Sequence, residues 1–84
     1  MKPLQVRDYS YSEIEQGIDE WIVGRRNSKR DRFILKLKLL DGLSYLEIAE
    51  ILDNDDTLPP SYKLSVRQLE RIVPKAEMIL FKHI

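Results

Sequence analysis

Apolar residues recur along this chain in short helical stripes, and a polar signal that starts a helix precedes almost every stripe. Ile14, Ile18, Trp21 and Ile22 fall at i, i+4, i+7 and i+8, on one face of an α-helix. Ser10 and Ser12 each have a glutamate three positions on, Glu13 and Glu15. At that spacing a hydroxyl and a carboxylate can satisfy the free N–H groups of a first turn reciprocally. Gly24 can take the left-handed conformation that ends a helix. The pattern predicts a first helix over 12–23 with Trp21 in the core, preceded by an arm, 1–11, that lacks a clear period and contains Pro3.

A second helix, capped by Asn27 or Ser28, turns Phe33, Ile34, Leu37, Leu40 and also Leu39 inward and ends at Gly42. Ser44 and Glu47 repeat the capping spacing before Leu46, Ile48, Ala49, Ile51 and Leu52, so a short, largely buried third helix is expected. It stops at Asp53-Asn54-Asp55-Asp56, and the adjacent Pro59 and Pro60 place a loop after it. Ser65 with Gln68 opens a further helix carrying Leu69, Ile72 and Val73 on one side. Pro74 lacks the N–H that would bond the Glu70 carbonyl, which predicts a kink or a break. Beyond it Ala76, Ile79, Leu80 and Ile84 share a face, flanked by Met78 and Phe81. No stretch demands a strand. The expectation is an all-α domain of four to five helices over 12–84, with 54–63 as an inserted loop between the last two elements.

Charge changes this picture more than composition does. The chain has 84 residues and no net charge, yet segments 1–23, 24–40, 41–58 and 59–84 carry −3, +6, −6 and +3. Two basic segments can converge on a polyanion if the acidic block faces away from it. Cysteine is absent, which removes disulfides, thiolate metal sites and cysteine nucleophiles. With His83 the only histidine, a metal would have to rely on carboxylates. The oxygen donors Asp53, Asn54, Asp55 and Asp56 do not match the calcium-loop spacing, so neither metal nor cofactor is expected. No Ser/His/Asp set, phosphate-cradling glycine loop or nucleophile elbow supports an enzyme. The longest apolar runs fall far short of the roughly 20 residues of a membrane span, and no apolar signal core opens the chain, so a cytoplasmic protein without a membrane partner is expected.

Two short helices, the first with a small residue at its fifth position and the second starting on a polar cap, are the parts of a helix-turn-helix. With Tyr45 as position one, Ala49 is position five, where a crossing helix needs room. With 54–63 set aside, Leu69 and Ile72 fall at the inward positions of the second helix, and Val66, Arg67, Glu70 and Arg71 point outward.

Here the sequence resembles sigma-factor region four, and especially the small phage and mobile-element transcriptional regulators built on that domain. The resemblance is carried by Asp31-Arg32-Phe33-Ile34-Leu35-Lys36, Asp41-Gly42-Leu43-Ser44-Tyr45-Leu46-Glu47-Ile48-Ala49, Ser65-Val66-Arg67-Gln68-Leu69-Glu70-Arg71-Ile72 and Lys75-Ala76-Glu77, and covers about residues 12–84. It implies double-stranded DNA as partner, with the 65–73 helix in the major groove. Arg67 and Arg71, with Gln68 and Glu70, would meet base edges, and an arginine fork on guanine is worth about 1–3 kcal/mol of discrimination. Ser65, Lys63, Lys75, Arg25, Arg26, Lys29 and Arg30 are the phosphate contacts it suggests. Docking on RNA polymerase is a further partner that the resemblance implies.

The chain departs from the family in its turn, some ten residues longer and carrying Asp53, Asp55 and Asp56, and in Pro74. Those acids and the zero net charge suit a second function, a small phage-encoded inhibitor that binds a host nucleic-acid enzyme or defence nuclease. Met78, Phe81 and Ile84 could form the patch of a homodimer or close the monomer's own core. His83, close to a helix C-terminus, fits a surface role.

Overall fold

Capping signals decide where three of the four α-helices begin. In the computed structural model, which describes residues 9–24 and 26–83, Ser10 starts α1 (Tyr11–Trp21). Its hydroxyl accepts the Glu13 N–H at 3.2 Å, and the Glu13 carboxylate accepts the Ser10 N–H at 3.3 Å. Of the two candidate pairs this one is used, so Ser12 lies inside the helix. Ile14, Ile18 and Ile22 are fully buried, and Gly24 takes a φ of 73°. Trp21 departs from expectation, being 37% exposed with its ring stacked on His83 at 4.5 Å. At 100° per residue it lies about 60° off the centre of the isoleucine stripe, so the bulkiest side chain sits at the margin. Residues 1–8 of the expected arm lie outside the described residues, while Tyr9 stacks on Phe81 at 5.8 Å.

α2 (Ser28–Leu35) follows Asn27, which makes no side-chain capping bond, and runs directly into a π-helical turn, Lys36–Leu40. There the Asp41 N–H donates to the Lys36 carbonyl at 3.1 Å, five residues back, and the Leu43 N–H reaches the Leu37 carbonyl at 3.1 Å. Gly42, with φ 69°, allows the chain to turn away. Ile34 is buried as expected, but so is Leu35, whereas Phe33, Leu37, Leu39 and Leu40 are half-buried. α2 packs against both α1 and the C-terminal helix, so its apolar arc is wider than one stripe.

Ser44 and Glu47 form the second capping box at the start of α3 (Tyr45–Asn54), with bonds of 3.2 and 3.1 Å. Ile48 and Leu52 are buried, and Ala49 and Ile51 half-buried, but Leu46 is 61% exposed. Two positions before Ile48, it is rotated about 200° from the buried face. The segment expected as an inserted loop is tied to the fold. It contains a 3-10 turn, Pro60–Tyr62, its Leu58 and Tyr62 pack against the core, and the Tyr62 ring tilts onto Phe33 at 6.1 Å.

α4 (Val66–His83) starts on the third box, in which Ser65 and Gln68 exchange bonds of 2.9 and 3.2 Å. No break occurs at Pro74, because one helix runs through it. Glu70 and Pro74 are both exposed, so water can satisfy the carbonyl that proline leaves unbonded. Leu69 and Val73 before the proline and Ala76 and Leu80 after it are buried, which holds both halves on one axis. α4 packs against α1, α2 and α3, and the radius of gyration is 12.5 Å, near the roughly 12 Å of a compact domain this size. Among the described residues the fold is all-α with four α-helices and no strand, and no helix is long and apolar enough to cross a membrane.

Candidate nucleic-acid interface

The burial of Leu69, Val73, Ala76 and Leu80 fixes which side of α4 faces water. Opposite them lies an exposed ridge of Arg67, Arg71, Pro74, Lys75, Met78 and Lys82. Arg67 and Arg71 are one turn apart on it, and Lys75 continues the row. Glu70 is exposed beside the ridge, Gln68 is exposed but engaged in the capping box, and Val66 is half-buried.

The packing of α2 on α4 brings a second basic segment to this side. Arg26, just before α2, and Arg30, in its first turn, face Lys75 across a shallow groove floored by Ile72 and Ala76 and also lined by Asp31. Lys29 stands with Arg26 and Arg32 around a second depression, closed by Tyr62 of the 3-10 turn. Arg25 lies outside the described residues.

Pairing separates the cations into two groups. The Arg30 guanidinium is held by Asp31 at 3.2 Å, and Arg32 donates to the Ile22 carbonyl at 2.7 Å. Lys36 pairs with Asp19 at 2.8 Å, Lys38 lies 5.4 Å from the centre of the Tyr45 ring, and Lys63 donates to the Asp53 carbonyl at 3.2 Å. Arg26, Lys29, Arg67, Arg71, Lys75 and Lys82 bond to no other described residue. Arg26 lies just before α2, Lys29 in its first turn, and the other four on the outer side of α4. Lys82 is not among the contacts that the resemblance implies, because it lies beyond Lys75-Ala76-Glu77, the last residues that carry it.

No protein-family model, curated protein or solved structure matches the chain.

The start of α4 is less suited to phosphate than the sequence suggests. Glu50 and Asp53 of α3 line a crevice with Ala49, Lys63, Leu64 and Ser65, so two carboxylates stand beside the N-terminal turn. The Asp53 carboxylate is also 4.0 Å from the Lys63 ammonium and offsets its charge. The flank of α4 away from α2 carries Glu77, whose carboxyl is held above its ordinary range by burial, an effect that nearby Lys38 opposes. Burial and the charges of Glu77 and Glu70 in turn raise the Tyr45 phenol. One flank of α4 is therefore cationic and open, and the other anionic and partly closed. Among the described residues no group of acidic or histidine side chains could hold a metal ion.

Proposed function

We propose that this chain is a DNA-binding transcriptional regulator of the sigma region-four type, of phage or mobile-element origin, and not an enzyme. α3 and α4 act as its helix-turn-helix, and the 65–73 segment enters the major groove. The reading is supported above all by the grouping of unpaired cations on two adjoining elements, with Arg67 and Arg71 exposed one turn apart. Arginine forks at that spacing can reach neighbouring base edges, while Arg26, Lys29 and Lys75 reach phosphates. Ala49, half-buried in the α3–α4 crevice, suits the close approach of such a helix pair.

The deciding experiment is selection of bound duplexes from a random DNA pool, with the affinity of the enriched sequence followed across a salt series. An enriched motif is expected, with affinity falling by about 0.9 log units per log unit of salt for each phosphate neutralised. Absence of enrichment by the folded chain would overturn the reading.

A second reading, a protein-binding inhibitor, is favoured by a different surface. Leu46 is 61% exposed on α3, the helix that also carries exposed Glu47, Glu50 and Asp53. An acidic face with an apolar centre suits a basic partner such as a nucleic-acid enzyme, and the failed selection would lead to it.

A further inference from the structure

Resting on the DNA-binding reading, we infer that the duplex lies side-on along the whole outer ridge of α4, from Arg67 to Lys82, with its backbone held on the α2 flank. The N-terminal end of α4 is then not the principal point of contact.

Four features point to this geometry. The ridge is continuous: Arg67, Arg71, Lys75 and Lys82 share one exposed side because α4 passes through Pro74 without ending. The fifteen rises of 1.5 Å from Arg67 to Lys82 make this row about 22 Å long, whereas the segment up to Val73 offers only about 9 Å. The N-terminal end, by contrast, is closed to an anion. The Ser65 and Gln68 N–H groups are taken up in the capping box, Glu50 and Asp53 stand beside it, and the ammonium of Lys63 is already held by Asp53. A phosphate arriving there would meet two carboxylates.

The flanks differ as well. Arg26 and Lys29 extend the cationic side, Arg26 facing Lys75 across the Ile72–Ala76 floor, and Asp31, the carboxylate that also lines this groove, is paired with Arg30, so one sugar-phosphate strand can lie over it. On the other flank Glu70 and Glu77 stand near Tyr45, and Lys38, the cation near them, is engaged by the Tyr45 ring. Met78 supplies a contact of another kind. It is 74% exposed between Lys75 and Lys82 on the ridge, where its flexible apolar tip can meet a thymine methyl group.

The test compares charge reversals at the two ends, using a fluorescently labelled mixed-sequence duplex and, in parallel, the sequence enriched by the wild type. Lys82→Glu, at an exposed position that only the side-on geometry brings to the duplex, is the ridge variant, Lys63→Glu is the variant at the other end, and circular dichroism checks that both fold. The inference expects the ridge variant to lose roughly tenfold in affinity per phosphate contact at low salt, and its salt slope to shrink by about 0.9 for each. Lys63→Glu should leave both quantities near wild type. If Lys63→Glu is the damaging change and the ridge variant binds like wild type, contact is end-on. The inference then falls while the DNA-binding reading stands. If the wild-type chain binds neither duplex at any salt concentration, both fall together.

Discussion

Ser44 and Glu47 show how much a single pair of side chains decides. The carboxylate of Glu47 is held below its ordinary range by its bonds to the Ser44 N–H and hydroxyl. Ionised Glu47 therefore favours the fold above its ordinary pKa, and that contribution is lost as pH falls through the lowered value. Ser44→Ala is expected to cost about 1 kcal/mol in denaturant unfolding and to fray the start of α3. Glu77 behaves oppositely. Burial raises its carboxyl, so its contribution is fully present below the ordinary glutamate value and is lost as pH rises through the raised one. Glu77→Gln should raise the thermal midpoint at neutral pH and remove part of the gain on acidification, read from melts at several pH values. A midpoint that falls at neutral pH would mean that attraction to Lys38 outweighs the burial. The capping boxes were legible in the sequence because their partners are three residues apart. The environment of Glu77 was not, because Lys38 and Tyr45 reach it only through the packing of α4 on the elements before it.

Among the elements, local signals fixed where helices start better than where they stop. Pro74 is a strong breaker in isolation, but the run from Leu69 to Leu80 has buried residues on both sides of it, and tertiary burial outweighs the local preference. Pro74→Ala is accordingly expected to raise stability by up to about 3 kcal/mol with little change in helical circular dichroism. A large rise in helicity would show that the proline interrupts α4 in solution. The 55–65 connection reads as a polar excursion because its prolines and aspartates are conspicuous, while Leu58 and Tyr62, which anchor it, are isolated apolar residues without a period. Its removal should cost more than loop-closure entropy alone, whose change per doubling of loop length is only about 0.6 kcal/mol. Deleting 54–63 is expected to lower the unfolding midpoint markedly, and Tyr62→Ala alone should account for a measurable share of that loss.

In the molecule as a whole, the alternating charge blocks become a surface of two faces. The two basic segments meet because α2 packs on α4, and several acids between them are carried on α3. The sequence could supply the blocks but not their meeting, which depends on a contact between residues some forty positions apart. The Trp21–His83 stack joins the end of α1 to the end of α4, and Trp21 is the sole tryptophan. His83→Ala should therefore shift its emission to the red as the ring face opens to water. The π turn at Lys36–Leu40 has a different consequence, since it stores one surplus residue in the leucine run. Were the same residues wound as an ordinary α-helix, with the surplus residue taken into the regular ladder, all that follows would swing by about 100° around the α2 axis. Every helix and cap would survive, yet the ridge of α4 would no longer stand beside Arg26 and Lys29. The aim of the cationic face is set at a distance, by the winding of a segment that is not on it.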